Sequence, residues 1–175
     1  MIEAILTQRT NWKNVEKALQ NCKIAGLQNL KGIYALGKKN LNRLQQTIKP
    51  CGFYKTKAEY LFGLAKFVFK NYGSAAKIKK AKTDKLRQEL LTLKGVGEET
   101  ADDILLYALD KPVFVIDEYT RRFVKQYKLS PHFNYGTLQK LFESSLKPDY
   151  RLYQDFHALI VIDGKKDEMK NLNII

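Results

Sequence analysis

Cysteine is nearly absent from this chain of 175 residues, where only Cys22 and Cys51 occur. Two thiols exclude a disulfide scaffold, a four-cysteine zinc site and a four-cysteine iron–sulfur cluster. The only histidines are His132 and His157, far apart in sequence, so no metal site is expected. No run of about 20 apolar residues is present to span a membrane as a helix. No basic stretch followed by an apolar run marks a signal peptide, and the expected setting is the reducing cytoplasm. Acidic residues are the other shortage: 18 Asp and Glu stand against 31 Lys and Arg, a net charge of +13. That imbalance points to a polyanion, either nucleic acid or an anionic membrane. Hydrophobic residues make up 45% of the chain, which excludes a disordered basic tail. The length suits one compact domain or two small lobes.

Prolines fall only at 50, 112, 131 and 148, and between these breakers the pattern is helical. Ala58, Leu61, Phe62, Ala65, Val68 and Phe69 repeat at helical spacing, as do Ala101, Ile104, Leu105 and Ala108. Val15, Ala18 and Leu19 mark a shorter helix. Leu138, Leu141, Phe142 and Leu146 mark another, and 150–162 the last. The only β-branched run, Val113-Phe-Val-Ile116, is too short for a sheet and reads as an extended connector. The fold class is all-α, built from many short helices. Met1–Leu6 already reads as helix interior without a cap.

Positive charge is clustered. Lys38, Lys39, Arg43, Lys49, Lys55 and Lys57 follow one another with no acid between them. Six more bases between Lys77 and Arg87 meet only Asp84, and Arg121, Arg122, Lys125 and Lys128 form a third group. Lysines also simply solvate helix faces, but unbalanced clusters at turns suit a phosphate backbone. A membrane surface would prefer one basic amphipathic helix.

The most specific stretch is Leu93-Lys-Gly-Val-Gly-Glu-Glu-Thr-Ala101. A helix over 84–92 runs into Gly95-Val96-Gly97, and a second helix starts at Glu98. Two glycines around an inward-packing Val96 permit a tight turn with backbone close to a ligand. The free N–H groups of the second helix then face outward and bind phosphate without reading a base. An ordinary glycine-capped corner remains open at this point. Further on, Asp117 follows the apolar run Val113–Ile116 at the start of a new helix. That is an N-cap position, and it also holds a carboxylate at the mouth of a cleft between two helical lobes. His157, beside Phe156, reads as a satisfied core histidine rather than a ligand.

With these residues the chain resembles the endonuclease III superfamily of base-excision DNA glycosylases. The carriers are the helix-hairpin-helix LKGVGEETA (93–101) and the VFVID segment ending at Asp117. ILTQRTNWKNVEKAL (5–19), CGFYKTKAEYL (51–61) and FHALIVIDGKK (156–166) match in order. The resemblance implies two lobes, 1–111 carrying the hairpin and 112–175 beginning at the catalytic aspartate, with a cleft between them. It implies Asp117 as catalytic residue and a hairpin formed by Lys94, Gly95, Val96, Gly97 and Thr100, gripping the DNA backbone. The hairpin carbonyls would hold a monovalent cation when DNA is bound. Gln8 falls on the residue that fills the gap left by a flipped nucleotide. Phe53 falls in the loop that wedges the opposite strand, with Tyr54, Lys55 and Lys57 beside it as DNA contacts.

Two departures sharpen the resemblance. Members that cleave the strand through a Schiff base place a lysine where Glu99 stands, and a carboxylate forms no imine. Members with a [4Fe–4S] cluster carry four cysteines after the last helix, and no cysteine follows Cys51. Both features are similar to the cluster-free 3-methyladenine DNA glycosylase branch. In that branch Trp12 would stack on the flipped base, and Glu99 and Lys165 would lie at the base pocket. The branch also uses aromatics upstream of the first helix, so the N-terminal part of the second lobe is expected to precede Met1.

The expected activity is monofunctional removal of an alkylated purine by a monomer, without AP lyase activity, cofactor or cluster. The expected partner is double-stranded DNA with a damaged base, not a membrane. Two other readings stay open. One is an endonuclease III-like glycosylase for oxidised or mismatched pyrimidines, the other a non-catalytic DNA-binding protein.

Overall fold

The computed structural model describes residues 1–171, with side chains through 166. Among the described residues no strand occurs, and the fold is all-α. The chain divides into two units, Met1–Ala101 and Asp102–Ile175. Residues 102–111 therefore go with the second unit, although the sequence places them in the first lobe. The reason is packing: Leu106 is an interior member of the second unit's core.

The first unit is arranged around α5 (Tyr54–Asn71). Its face of Ala58, Leu61, Leu64, Ala65 and Val68 is buried. Against it pack α1 (Ile2–Leu6), α3 (Leu30–Lys39) and α4 (Leu41–Thr47). The unit is completed by α2 (Trp12–Ile24), a 3₁₀ turn (Lys49–Cys51), α6 (Ala75–Ile78) and α7 (Thr83–Leu91). α2, α3 and α4 each start on an asparagine, Asn11, Asn29 and Asn40, whose side chain accepts from a backbone N–H in the first turn. Such caps satisfy one orphan donor each and fix where these short helices begin.

α8 (Glu98–Asp103) leads into a π-helical turn (Ile104–Ala108). The second unit continues with α9 (Glu118–Gln126), α10 (Tyr135–Ser145) and α11 (Tyr150–Asn171). Its core is aromatic. The Phe114 and Phe142 rings stack with centroids 4.3 Å apart, and Tyr153 and Phe156 meet Phe114 edge-on. The run Val113–Ile116 belongs to no helix and no sheet. Side chains meet its backbone instead: Phe114 N–H donates to Glu143 at 2.8 Å, and Gln139 donates to the Phe114 carbonyl at 2.8 Å. Those bonds satisfy buried polar groups that would otherwise require a strand partner, and they hold the residues leading into Asp117.

Candidate functional site

Within the first unit, the hairpin is built on an aromatic floor. Gly95 has φ +82°, and a Cβ there would lie 2.1 Å from the Tyr60 ring, so both backbone conformation and space demand glycine. Val96 is buried and holds the turn from below. Gly97 differs: its φ is unremarkable and a Cβ would meet nothing within 4 Å. The fold leaves that glycine unexplained, whereas close approach of a ligand to the backbone explains it. Beyond it, α8 opens with Glu98 and Glu99, which suit the positive end of the helix. Glu98 lies 3.8 Å from Arg87, and the exposed Lys94 lies 3.5 Å from Glu59.

Gln8 is tied to this hairpin. Its amide donates to the Gly95 carbonyl at 2.9 Å and to the Thr100 hydroxyl at 3.0 Å. The Gly97 carbonyl accepts from Ala101 N–H at 2.8 Å. Each of these two carbonyl oxygens keeps a second lone pair for a further donor. Cys22 and Cys51 are both buried in the first unit. Burial pushes the Cys22 thiol up to about 11.

Phe53 caps α5 in a left-handed conformation, φ +45° and ψ +30°, with its ring 64% exposed. A bulky residue at positive φ is strained, and here the strain presents an aromatic ring to solvent. Tyr54 is half-buried and Lys55 exposed beside it. Trp12 is 48% exposed at the start of α2, its indole N–H donating to Glu16 at 2.8 Å. It is not a core tryptophan.

Lys57 corrects the sequence expectation. It is only 2% exposed, and its ammonium donates to the carbonyls of Leu6 and Cys51, both at 2.8 Å. The charge is committed to the interior and is not presented to a phosphate. Burial lowers its pKa, opposed by its neighbour Cys51. Lys165, on α11, is exposed.

Within the second unit, Asp117 is the N-cap of α9, as its sequence position implied. Oδ1 accepts from Thr120 N–H at 2.8 Å. Oδ2 lies 3.5 Å from Nε2 of His157. The other imidazole nitrogen, Nδ1, is 2.7 Å from the Tyr107 hydroxyl. Burial raises the Asp117 carboxyl, but His157 and the two Thr120 groups outweigh it, and the net shift is downward. Tyr107 is pushed well above the ordinary phenol value by burial and by Asp103, Asp117 and Asp155. Sequence reasoning missed Tyr107 altogether, and it took His157 for a core residue. The residue is indeed buried, and its ring lies between Tyr107 and the carboxylate. Among the described residues, no group of three or more His, Cys, Asp or Glu could hold a metal ion, and no helix is long and apolar enough to cross a membrane.

Comparison with known proteins agrees with this layout. The model of the HhH-GPD superfamily base excision DNA repair protein matches residues 2–148. A protein described as a DNA repair glycosylase from Methanocaldococcus jannaschii is 44% identical over 171 residues, covering 95% of this chain and 76% of its own. Endonuclease III of Thermotoga maritima is 30% identical over 70% of this chain and 52% of its own. Among solved structures, H. pylori 3-methyladenine DNA glycosylase bound to 1,N6-ethenoadenine superposes with a TM-score of 0.81 at 32% identity, covering 95% of this chain and 83% of that one. A glycine hairpin leading into a helix and a carboxylate capping the helix after an apolar run thus occur in a sequence matched along most of its length: the chain belongs to the HhH-GPD superfamily of base excision DNA repair proteins.

Proposed function

We propose that this DNA glycosylase is monofunctional and removes an alkylated purine of the 3-methyladenine type by hydrolysis, without AP lyase activity. The observation that carries the reading is the state of Asp117. Its carboxyl is held below the ordinary carboxylate value by His157 and Thr120 against the opposing effect of burial. It is therefore an anion at neutral pH and not a proton donor.

An anion of this kind stabilises an oxocarbenium-like sugar and accepts a proton from the attacking water. The bond from the base nitrogen to C1′ breaks with its electron pair leaving on the base. Water oxygen forms the new bond to C1′, and its proton passes to Asp117 and then to solvent. Ordinary glycosidases add a second carboxylic acid for the leaving group. An alkylated purine already carries positive charge and departs without one. Trp12 suits the same substrate, since a cationic base over an aromatic face gains about 0.5–2 kcal/mol. The H. pylori relative, named for 3-methyladenine and bound to a modified adenine, supports this base class.

Extrusion of the base from a duplex costs a few kcal/mol. Gln8 would fill the vacated place and Phe53 would wedge the opposite strand, while Lys94–Gly97 hold the backbone, with a monovalent cation on the hairpin carbonyls. No amine stands at the position of Glu99, so no imine with the sugar is expected.

The likeness to endonuclease III of Thermotoga maritima supports a second reading, excision of oxidised or mismatched pyrimidines. A panel of duplexes carrying each lesion separates the two. Release of 3-methyladenine from methylated DNA, with no borohydride-trapped adduct, supports the proposal. Release confined to pyrimidine lesions overturns the substrate, and a trapped adduct overturns the monofunctional mechanism. Salt-dependent binding with no release from any lesion would leave a DNA-binding protein only.

A further inference from the structure

We propose that Lys57 is a positioning residue for base extrusion: its buried ammonium joins the backbones of the two segments that carry Gln8 and Phe53 and holds them in one register. The inference rests on the roles given to Gln8 and Phe53 in the proposed function.

Leu6 is the last residue of α1, and Cys51 is the last residue of the 3₁₀ turn. Helix C-termini leave carbonyls without intrahelical partners, and a cation there is favourable. One ammonium serves both ends, with Nζ 2.8 Å from each carbonyl oxygen. A buried charge is tolerated only where such bonds replace water. Lys57 therefore fixes the distance between the two carbonyls as a matter of its own solvation.

Each carbonyl stands just ahead of a residue assigned to the duplex. Gln8 comes two residues after Leu6, and Phe53 two residues after Cys51. Both segments leave through left-handed backbone: Arg9 has φ +49°, Gly52 +68° and Phe53 +45°. For the non-glycine residues Arg9 and Phe53 such a conformation persists only when the surroundings over-determine it. The lysine supplies that constraint at both points of departure. Gln8 is held in turn by the Gly95 carbonyl and Thr100. A continuous path of hydrogen bonds and backbone thus runs from the Phe53 loop through Lys57 and Gln8 to the hairpin. A grip on phosphate at Gly97 is then in register with the residues that invade the duplex.

The test compares wild type, Lys57→Met and Leu64→Ala. The last truncates a buried residue of the same helix about two turns beyond Lys57 and removes no hydrogen-bond donor. Circular dichroism establishes the folded fraction, and all measurements are made below the melting range. One readout is fluorescence of 2-aminopurine opposite a tetrahydrofuran abasic analogue in duplex DNA, which needs no glycosylase activity. The other is base release from a paired lesion against the same lesion in an unpaired bulge. Lys57→Met is expected to lose the 2-aminopurine signal at saturating protein. It should also lower paired-lesion release on the order of tenfold or more relative to the bulge, as misplacement of positioning groups does. Leu64→Ala should keep both ratios. Equal loss on paired and bulged substrates, or no loss on either, overturns the proposal. Should Lys57→Met fail to fold, Lys57→Arg, a donor of different reach, is read by the same two criteria. If wild type releases no base from any lesion, the proposed function falls, while the fluorescence comparison still decides the role of Lys57.

Discussion

His157 turns one ring nitrogen to Tyr107 and the other to Asp117, at 2.7 Å and 3.5 Å. The phenol stays protonated, because burial and three acidic neighbours raise its pKa. Where it donates to Nδ1 of a neutral imidazole, the ring proton lies on Nε2, toward the carboxylate. If the ring is protonated, Nε2 still carries a proton. In both of these states the carboxylate of Asp117 faces an N–H, and its negative form is favoured.

The first prediction concerns pH. Replacing His157 by Phe leaves burial to raise the Asp117 pKa with only Thr120 opposing it. The acid limb of the pH–rate profile should move to higher pH. Stability should follow the same sign. A carboxyl whose folded pKa lies below its ordinary value of 3.8 adds stability that is present above that value and is lost as pH falls through the folded pKa. The acid unfolding midpoint of His157→Phe should therefore rise. Tyr107→Phe should shift both in the same direction by less, because the hydroxyl acts only through the imidazole. An unchanged acid limb would show that His157 does not tune the carboxylate.

Asp117 itself has two roles that substitution separates. Asparagine is a good N-cap, so Asp117→Asn should fold and bind DNA like wild type while base release falls on the order of a hundredfold or more. Asp117→Ala should lose release equally, and in addition about 0.5–2 kcal/mol of stability with the Thr120 bond. Chemical denaturation and a base-release assay on the two variants check both statements. Release by Asp117→Asn at the wild-type rate would remove the carboxylate from the mechanism.

The two hairpin glycines should behave oppositely. Gly95→Ala drives a methyl into the Tyr60 ring at a residue with φ +82°, so it should destabilise by about 1–3 kcal/mol. Gly97→Ala meets no neighbour in the protein, and its cost as a helix cap should stay below about 1 kcal/mol. Its loss should appear in duplex affinity instead, with weaker binding measured by anisotropy at fixed salt. Equal melting temperatures for the two variants would contradict the difference in packing.

Much of this layout was legible because local rules and tertiary structure agree. The apolar period over 58–69 marks α5, and an aspartate after Val113–Ile116 marks a cap. α3 carries an apolar stripe of its own, with Leu30 and Ile33 at helical spacing behind the Asn29 cap, whereas the 7 residues of α4 bury only Leu44 and rest on the Asn40 cap. By its charge Lys57 reads as one of the phosphate-binding bases. Its position says otherwise: residues 57, 61, 64 and 68 share one helix face, and the other three are buried. The Tyr107–His157–Asp117 chain could not be read, since its members are brought together from three elements far apart in sequence.

Trp12 provides the sharpest test of substrate class. A tryptophan 48% exposed, with its N–H bonded to Glu16 on the same helix, contributes little to the core. Trp12→Ala should therefore change stability by no more than about 0.5 kcal/mol, as surface substitutions do. If its face receives a cationic purine, release of 3-methyladenine should fall, while a neutral pyrimidine lesion should be affected less because the cation–π component is missing. Trp12→Phe keeps an aromatic face of weaker quadrupole and should lie between. The ordering Trp, Phe, Ala for the alkylated purine alone would tie the residue to the base. A uniform loss across lesions would assign it to general stacking on DNA, and a large loss of melting temperature would return it to the fold.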